Sequence, residues 1–514
     1  MLWAILLVLV ATLRIGATYG TLSRTTDEQA HIACGMEYLD FARYSYETQH
    51  PPLTRIMVAW LPHLNGAHSW GERTMWTEGP TILHRSSSYL ATLTFARMGN
   101  LPFFWIACAV VYLWAKRYFD RQTAVIAVAL FSFTPVVLGH AGVATTDMGL
   151  TAFCTASLLA TLMLLERPSL RMGAVWGLMI GLAISSKFSF LPFYPASLFF
   201  GLILFWVVRR PAIGEAWTVL RSILLPALLG SVVAFFVVWA VYRFSFGPSP
   251  LTGSASVPFP ELFDGIGQVM HHNDIGHTAY LFGQTSPAGF WYYYPAALLF
   301  KLPLGFLGLL GLGLVMAWRM KSVPVAILVG FSLGIFAVGA ASRINIGIRH
   351  VLPLITFFAI IAAVGVRNTL EWQPNRTRIV VVLLAWMGLS SLWVHPDYLA
   401  YFNELALGHP EKILIDSDLD WGQDYDRAAE RLRELNARVV AFSPSNFISE
   451  DAVKFPPLAN LDPLRPMPGW NLVSITKWKS GRYGLHDDEP SWIDATEPTE
   501  RVGRGMLLFY FPEK

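Results

Sequence analysis

Apolar stretches long enough to cross a lipid bilayer recur along most of the chain. A transmembrane helix needs about 20 mostly apolar residues, and about eleven stretches satisfy that requirement. They lie near residues 2–20, 98–115, 122–141, 148–165, 172–187, 190–208, 222–243, 294–317, 323–341, 349–366 and 378–395. Of the 514 residues, 54% are hydrophobic and 14% are charged, a balance that excludes an ordinary soluble globular protein. The sequence therefore predicts an all-α polytopic membrane protein.

Lysine and arginine residues indicate how these stretches are oriented. The cytoplasmic loops of membrane proteins carry an excess of both residues. If the N-terminus is cytoplasmic, every even-numbered stretch ends on the cytoplasmic side. The basic residues at those ends are Lys116, Arg117 and Arg121; Arg167 and Arg171; Arg209 and Arg210; Arg319 and Lys321; and Arg367, Arg376 and Arg378. We therefore expect residues 21–97, 244–293 and 396–514 on the outer side.

The last of these outer segments differs in composition from the rest of the chain. EKILIDSDLDWGQDYDRAAERLRELNARVVAFSP predicts a strand, a capped amphipathic helix and a second strand, and RVGRGMLLFYF predicts a late strand. We thus expect a membrane module over 1–395 and a small soluble α/β domain over 396–514. In the first outer segment, HIACGMEYLDFARYSYE has the pattern of an amphipathic helix lying in the membrane interface.

Charge and cysteine content exclude several kinds of partner and site. The formal net charge of +3 is too small to indicate a nucleic-acid partner. The three cysteines, Cys34, Cys108 and Cys154, form no CxxC pair, so they predict neither a disulfide framework nor a cysteine metal site. No basic residues precede the first apolar stretch, and we expect it to be retained as the first span.

Five basic residues contradict the charge rule, because they fall at or beyond the outer ends of predicted spans. They are Arg55, Lys187, Arg243, Arg343 and Arg349. Such residues can snorkel to lipid headgroups. Alternatively, several of them converge at the outer mouth of the bundle and bind phosphate through charge-assisted hydrogen bonds. A membrane-borne phosphate ester would be the natural ligand of that arrangement.

Carboxylates gather at the same predicted mouth. TTDEQAH places Asp27 and Glu28 directly after the first span, and VATTDMGL places Asp147 at the start of the fourth. All three could simply stabilise the N-termini of helices. Beside an excess of cations, they also suggest a general base and a partner that positions or tunes it.

Two loop segments offer further candidate residues. HHNDIGH forms either a metal site, although its spacing fits no standard zinc signature, or a loop that closes over a substrate. Its candidates are His271, His272, Asp274 and His277. NIGIRH places Asn345 and Arg349 on one face if the segment is helical, where they would suit phosphate or sugar hydroxyls.

The acid-rich motif DSDLDWGQD, which contains Asp420 and Trp421, has two interpretations. Its aspartates and serine favour the first turn of the helix predicted to follow near Asp424. In the other interpretation, the segment reaches back over the site and touches a substrate.

Several of these motifs resemble a known family. DEQAH after the first span, QHPPLTR in the same loop, TTD before the fourth span and SSKFSF after the fifth are similar to the dolichyl-phosphate-mannose protein mannosyltransferase superfamily, including its bacterial lipid A aminoarabinose transferase branch. YLFGQTSPAGFWYYYPAALLFKLPL, NIGIRHVLPL, PDYLAYFNELALG and DSDLDWGQD resemble a bacterial subgroup of glycosyltransferase family 39-like, phospholipid carrier-dependent glycosyltransferases. The resemblance implies a GT-C fold.

The resemblance also implies roles for individual residues. Asp27 resembles the catalytic base that activates an acceptor hydroxyl, with Glu28 beside it and Asp147 at the second acidic position. Arg55 stands where the protein mannosyltransferases usually have lysine, and with Lys187 it is a candidate for the carrier phosphate. The remaining candidates are Arg343 and Arg349 for the phosphate, and His50, His277, Asn345, Asp420 and Trp421 for the substrates.

The implied activity is transfer of a sugar from a polyprenyl-phosphate carrier to an acceptor hydroxyl on a glycan, a lipid or a protein. It would take place on the extracytoplasmic face of a bacterial plasma membrane. With a single base, we expect one displacement with inversion. The sequence establishes no cofactor, and a divalent metal is an open option. The rival classes are a transporter or flippase, which would place ionisable residues such as Arg14 near the bilayer midplane, and a non-catalytic protein that binds carrier lipids.

Overall fold

Helices form most of the computed structural model, which describes residues 1–251, 253, 255–372, 374–443, 454–486 and 489–512. The helices are α1 Leu2–Gly16, α2 Thr26–Phe41, α3 Pro52–Leu64, α4 Met75–Arg85, α5 Tyr89–Met98, α6 Leu101–Tyr118, α7 Arg121–Ser132, α8 Pro135–Ala141, α9 Asp147–Glu166, α10 Leu170–Ile184, α11 Phe190–Arg209, α12 Ile213–Val241, α13 Pro260–Ile275, α14 Tyr293–Lys301, α15 Leu304–Met320, α16 Val323–Ala341, α17 Pro353–Trp372, α18 Thr377–Trp393, α19 Tyr425–Glu434, α20 Ile475–Gly481 and α21 Trp492–Ala495. The strands are β1 Phe246–Pro248, β2 Ser256–Pro258, β3 Ala279–Leu281, β4 Gln284–Ser286, β5 Val440–Phe442, β6 Leu458–Ala459, β7 Gly469–Ser474, β8 Glu500–Val502 and β9 Met506–Phe511.

Six helical segments in the described part of the chain are long and apolar enough to cross a membrane: Tyr89–Tyr118, α9, α11, α12, α16 and α17. The number rises to eight if two bent pairs, α7 with α8 and α14 with α15, each count as one span. Three shorter apolar helices are α1, α10 and α18. Each predicted stretch overlaps one of these helices or pairs, and the prediction of about eleven spans stays a prediction.

Two of the predicted helices, 122–141 and 294–317, are each divided into two helices, which corrects the prediction of one helix in each stretch. The chain bends by 67° between α7 and α8 and by 115° between α14 and α15. Proline disfavours the helical conformation in the residue before it. Accordingly, Thr134 before Pro135 and Leu302 before Pro303 are both extended.

The centre of the bundle is formed by α9 and α17, which are buried over most of their length. The ring of Trp114 packs edge-to-face on Phe331 and Phe357, with centroids 6.0 and 5.7 Å away. At the periphery, α10 and α12 approach closely through glycine: a Cβ on Gly177 would lie 2.0 Å from the carbonyl oxygen of Gly230. Small residues permit such contact between membrane helices.

The segment between α1 and α6 folds into the compact helices α2 to α5. A Cβ on Gly35 would lie 2.1 Å from the carbonyl oxygen of Arg55, and one on Gly79 would lie 2.1 Å from that of Gln29. Helix α2 is thereby packed between α3 and α4, and its residues from Glu28 to Glu37 are buried. The amphipathic pattern expected of this helix is therefore wrong, because neighbouring helices cover all of its faces between Glu28 and Glu37. Its location at the membrane interface stays a prediction.

The segment after α18 forms a mixed sheet with strand order β6-β5-β7-β9-β8 within the described residues. Strands β6, β5 and β7 are parallel, whereas β7, β9 and β8 are antiparallel. The late strand predicted in RVGRGMLLFYF is confirmed as β9, and the residues before it form a further strand, β8, that pairs with it. The first predicted strand, in EKILI, is wrong: short 3₁₀ turns occupy Pro410–Lys412 and Asp416–Asp418. Part of the second strand segment lies outside the described residues, which resume at 454.

Candidate functional site

Four distant parts of the chain meet at one end of the bundle. They are the first turn of α2, the first residue of α9, the α10–α11 junction, and the 3₁₀ turn Ile348–Val351 that precedes α17. Each is the end of a helix or a short turn, so the side chains there project into the space between the helices. This meeting point brings together several residues that the sequence placed at one mouth of the bundle.

Two carboxylates and two cations form a continuous chain of charges at this point. The guanidinium Nη1 of Arg349 donates to Oδ2 of Asp27 at 2.7 Å and lies 3.9 Å from Oδ2 of Asp147. The other oxygen of Asp147, Oδ1, accepts a hydrogen bond of 2.5 Å from Nζ of Lys187. We call Asp27, Arg349, Asp147 and Lys187 the charge cluster.

Exposure differs sharply along the charge cluster. The side chain of Asp27 is 26% exposed, whereas that of Asp147 is 0% exposed and those of Arg349 and Lys187 are 7% exposed. Oδ2 of Asp147 is buried and makes no hydrogen bond within the described residues. A buried polar atom without a partner is costly, and it often marks a position that a ligand or an ion completes. Asp27 is therefore the carboxylate of the cluster that a substrate can reach.

Arg349 is held in place by the backbone before it and by the ring of Trp421. Gly347 has φ of 116°, a conformation that a Cβ would strain, and this turns the chain into the 3₁₀ turn. The guanidinium lies over the Trp421 ring, 4.3 Å from its centroid. Burial disfavours the charge, but Asp27 and Asp147 outweigh burial and raise the pKa of Arg349, which keeps the side chain charged.

The segment 416–424 reaches back over the charge cluster, as one interpretation of DSDLDWGQD predicted. The carbonyl oxygen of Trp421 accepts a hydrogen bond of 3.0 Å from the backbone N–H of Thr26, next to Asp27. The Ser417 hydroxyl donates to the carbonyl oxygen of Ile346 at 2.6 Å. Asp418 accepts from the backbone N–H of Ile348 at 3.2 Å. The segment 416–424 is therefore hydrogen-bonded to the start of α2, which carries Asp27, and to the turn that carries Arg349.

Glu28 and Asp27 are neighbours in sequence but have different partners. The carboxylate of Glu28 pairs with Arg97 through two hydrogen bonds of 2.8 and 2.9 Å, and both side chains are 0% exposed. It also accepts from the backbone N–H of Thr25 at 2.7 Å and of Ala144 at 2.9 Å. Burial opposes its charge, but Arg97 and these hydrogen bonds lower the pKa of Glu28. The structure thus gives Glu28 the contacts of a helix cap and a buried ion pair.

Arg55 and His50 lie in a second buried network beside the charge cluster. Arg55 donates to Nδ1 of His31 at 3.0 Å and to the Tyr44 hydroxyl at 2.8 Å, and it forms a tight ion pair with Glu47. Nδ1 of His50 lies 3.3 Å from Arg55 and 3.4 Å from Glu47. Burial opposes ionisation of Glu47, but Arg55 and His50 outweigh it and hold its pKa well below the usual range. The charge of Arg55 is thereby neutralised inside the protein.

Three predicted candidates have other partners outside the charge cluster. Arg343 is exposed and donates to the carbonyl oxygen of Asp274 at 3.1 Å. The predicted helical face of Asn345 and Arg349 is wrong, because the 3₁₀ turn begins only at Ile348. Asn345 instead accepts from the backbone N–H of Phe290 at 2.7 Å. Asp420 accepts from the Ser474 hydroxyl at 2.6 Å, so it ties the segment 416–424 to the sheet.

His277 lies at the edge of the site, close enough for the charges of Arg349 and Asp27 to shift its pKa. Its backbone N–H donates to the carbonyl oxygen of Arg343 at 3.1 Å. Burial, and then the charge of Arg349, lower the pKa of His277, while Asp27 opposes that shift. The imidazole is therefore neutral at neutral pH and can offer both a donor and an acceptor.

Sequence reasoning missed several residues near the charge cluster, among them His140, His350 and Asp416. His350 follows Arg349 in the motif NIGIRH, and burial together with Lys187 and Arg349 holds its pKa well below the usual value. Burial raises the pKa of Asp416 to about 6, with Arg349 opposing the rise and the charge of Asp27 adding to it. Because His350 directly follows Arg349 in the sequence, it could have been predicted to lie near the site. Asp416 is the first residue of DSDLDWGQD, whose approach to the site was one of two interpretations, but the sequence did not single it out among the acids of that motif.

We expect Asp416 to make the stability of the protein depend on pH between about 4 and 6. Its folded-state pKa of about 6 lies above the ordinary value of 3.8, so the folded state binds this proton more tightly and becomes less stable as pH rises through that window. Asp416→Asn mimics the protonated form and should remove this loss. Thermal unfolding of the full chain, measured at pH 4 and pH 7.5, should show the variant more stable than wild type only at the higher pH. Equal pH dependence in both proteins would contradict the assignment.

The fold and part of the sequence match known proteins. Residues 93–221 match the family model described as dolichyl-phosphate-mannose-protein mannosyltransferase. The structure of ArnT from Cupriavidus metallidurans bound to undecaprenyl phosphate is similar at 13% identity and a TM-score of 0.55, over 98% of this chain and 98% of that chain. The apo form of the same protein gives 14% identity and a TM-score of 0.51, over 98% and 97%.

An archaeal structure shares the same architecture. The apo oligosaccharyltransferase of Archaeoglobus fulgidus is similar at 13% identity and a TM-score of 0.53, over 94% of this chain and 70% of that chain. No protein with a curated description matches the sequence. At these identities the likeness shows the fold alone: the GT-C fold expected from the sequence motifs is confirmed, and the chain is a multi-pass membrane protein.

Proposed function

We propose that this protein is an integral-membrane glycosyltransferase that moves a sugar from a polyprenyl-phosphate carrier to an acceptor hydroxyl. The observation that carries the proposal is the charge cluster, in which one reachable carboxylate, Asp27, shares Arg349 with a buried carboxylate, Asp147. The GT-C fold and the family match over residues 93–221 support the same activity. Undecaprenyl phosphate in the ArnT structure supports a polyprenyl phosphate as the carrier.

Lys187 and Arg349 are the cations best placed to bind the carrier phosphate. Both are buried, and each pairs with a carboxylate of the cluster. A phosphate anion that enters between them would replace part of that pairing, and Arg349 suits it because a guanidinium offers two parallel N–H donors to phosphate. Arg55 is neutralised by Glu47, and we assign it to holding α3 and the loop before it in position rather than to direct phosphate contact.

Asp27 is the proposed general base. When the phosphate occupies Arg349, the carboxylate of Asp27 loses its partner at 2.7 Å and becomes free to accept a proton. The acceptor hydroxyl gives that proton to Asp27 while its oxygen bonds to the anomeric carbon of the sugar. The bond from that carbon to the phosphate oxygen breaks, and the polyprenyl phosphate leaves with the electron pair. One displacement of this kind inverts the anomeric centre.

The leaving phosphate needs charge stabilisation rather than a proton. Its negative charge grows as the bond breaks, and fixed cations in a site of low dielectric lower the energy of that state. Lys187 and Arg349 can fill this role without moving, since Asp147 orients both of them. We assign Asp147 to this positioning function and Glu28 to supporting the turn that carries Asp27.

The segment 416–424 and His277 are the proposed acceptor side of the site. Trp421 covers Arg349, and its backbone oxygen bonds Thr26 beside the base. We propose that residues 396–514 form a domain on the extracytoplasmic face of the plasma membrane, where this segment would meet an acceptor from the cell envelope. Asn345 and Asp420 would contribute indirectly, by fixing the neighbouring loops.

Donor binding tests the proposal. We expect the purified full-length protein in lipid nanodiscs to bind and consume at least one sugar in a panel of polyprenyl-phosphate hexoses and pentoses, with envelope lipids and glycans as acceptors. Lys187→Met should weaken donor binding at least tenfold, because about 1.4 kcal/mol corresponds to that factor and charge-assisted hydrogen bonds contribute about 1.5 to 3 kcal/mol. Mass spectrometry measures the released polyprenyl phosphate and the mass gained by the acceptor.

Two variants control for general effects of that substitution. Lys187→Arg keeps the charge and should retain donor binding better than Lys187→Met. Arg343→Met removes an exposed cation that lies outside the charge cluster and should leave donor binding within about twofold. Folded wild-type protein that consumes none of the donors, or equal donor binding by Lys187→Met and wild type, would overturn the proposal.

A further inference from the structure

Three potential metal ligands converge at the far end of α2, away from the charge cluster. Nδ1 of His63 lies 3.0 Å from Oδ1 of Asp40, and Nδ1 of His68 lies 3.3 Å from the same oxygen. The three ligand atoms all lie within 4.8 Å of one another. Among the described residues, Asp40, His63 and His68 are the group of histidine, cysteine or acidic side chains whose ligand atoms lie this close together. The histidines of HHNDIGH are not part of it.

Hydrogen bonding accounts for one of these contacts, that between Nδ1 of His68 and Oδ1 of Asp40 at 3.3 Å, but not for the other. Nδ1 of His63 is buried and makes no hydrogen bond within the described residues, although the oxygen of Asp40 is 3.0 Å away. The two imidazole rings meet edge-to-face with centroids 5.3 Å apart, so both rings turn toward the same carboxylate. An imidazole nitrogen that lacks a hydrogen-bond partner in this position is a candidate metal ligand.

The distances fit a first-row transition metal. Zinc binds imidazole nitrogen and carboxylate oxygen at about 2.0 to 2.2 Å, and two ligand atoms on a tetrahedral ion are then about 3.3 Å apart. The separations of 3.0 and 3.3 Å from Asp40 are close to that edge. The second oxygen of Asp40 accepts the backbone N–H of Ser69 at 2.6 Å, a contact that orients the carboxylate as outer partners of metal ligands do.

We propose that Asp40, His63 and His68 bind a divalent transition metal of the zinc class. The three ligands leave a fourth position on the solvent side, since the side chain of His68 is 61% exposed. The site is distinct from the charge cluster, because Asp40 follows Asp27 by thirteen residues on α2, which is about 20 Å along a helix. The ion therefore acts on structure and does not touch the transferred sugar.

The bound metal would join the C-terminal ends of α2 and α3 to the loop that follows α3. The next residues of this loop are already tied to Glu78, which accepts hydrogen bonds from the Ser69 hydroxyl at 2.6 Å and from the backbone N–H of Trp70 at 2.6 Å. Helix α2 carries Asp27 at its other end, and α3 carries Arg55. A metal at this position would thus hold α2 and α3 rigidly together at the ends opposite to Asp27 and Arg55.

Zinc titration tests the proposal without any sugar donor. The full chain in nanodiscs, stripped with a chelator and titrated with Zn²⁺ alone, should bind one ion with micromolar or tighter affinity, and zinc should raise its unfolding temperature. Substitution of Co²⁺ should give visible ligand-field bands, and X-ray absorption should show nitrogen and oxygen ligands. His63→Ala and Asp40→Asn should each weaken zinc binding at least tenfold.

Matched histidine variants keep the test decisive. His68→Ala alters an exposed loop residue, so it should preserve the fold while losing the same affinity. His271→Ala removes an exposed histidine of HHNDIGH and should leave zinc binding unchanged. Wild-type protein that takes up no zinc, or His63→Ala and His68→Ala proteins that bind it as tightly as wild type, would overturn the proposal. Because binding is measured directly, this result is independent of whether sugar transfer is found.

Discussion

Replacing Asp27 by asparagine is expected to lower kcat for sugar transfer by about 10²- to 10⁴-fold, the usual contribution of a general base. An amide of the same shape can still lie beside Arg349, but it cannot take the acceptor proton. Asp27 is 26% exposed, and its loss leaves Arg349 beside Asp147. We therefore expect little change in the unfolding temperature and near-normal donor binding. Initial rates at saturating donor and acceptor, with product identified by mass spectrometry, measure the effect.

A charge-matched substitution separates this effect from a general loss of negative charge. Glu430→Gln removes an exposed acid on α19 and should leave kcat within about twofold, since exposed charges act weakly over distance. The anomeric configuration of the product, read by NMR with the wild type, should be inverted relative to the donor. Unaltered sugar transfer by folded Asp27→Asn protein would show that Asp27 is not the general base.

Replacing Glu28, the adjacent acid, should instead destabilise the fold. Glu28→Gln leaves Arg97 as a buried guanidinium that has lost its bidentate carboxylate, and breaking a buried ion pair on one side costs about 3 to 5 kcal/mol. Thermal unfolding of the full chain in nanodiscs, or its rate of proteolysis, should reveal a large loss. Any loss of transfer should follow the fraction of folded protein.

Arg97→Met and the double variant Glu28→Gln/Arg97→Met complete a cycle. Arg97 also donates to the carbonyl oxygens of Leu22 at 2.9 Å and Ser23 at 2.7 Å, so its loss should be at least as damaging. Because the two side chains interact directly, the double variant should lose less stability than the sum of the single variants. A Glu28→Gln protein as stable as wild type and as inactive as Asp27→Asn would instead make Glu28 a catalytic residue.

Local patterns were sufficient for features that depend on one segment at a time. Each predicted apolar stretch overlaps an apolar helix or bent helix pair of the structure, because the bilayer imposes a minimum length and low polarity on each helix separately. Strand β9 was visible as a short apolar run after turn residues, although its pairing with β8 was not. The helix-breaking effect of proline was overlooked, and the prediction of one helix in each of two stretches was therefore wrong. Pro135 and Pro303 divide helices that hydropathy alone joins.

Side-chain partners could not be obtained in the same way. Asp27 and Arg349 are 322 positions apart in the chain, and sequence could only place both at the same mouth of the bundle. Arg55 has the same apparent misplacement as Arg349, yet Glu47 neutralises it internally. The charge rule reports the side of the membrane, and it carries no information about which opposite charge lies within hydrogen-bond distance.

The sequence by itself determined that this chain spans a membrane many times, and it singled out Asp27, Asp147, Lys187 and Arg349 as charged residues near the ends of predicted spans. Only the tertiary structure decided that these four meet, that Glu28 turns inward to Arg97, and that Trp421 covers Arg349. It also brought Asp40, His63 and His68 together. The physical reason is one of range: hydropathy acts along a single helix, whereas ion pairs and metal ligation depend on atoms a few ångströms apart. The packing of helices, turns and loops together sets those distances.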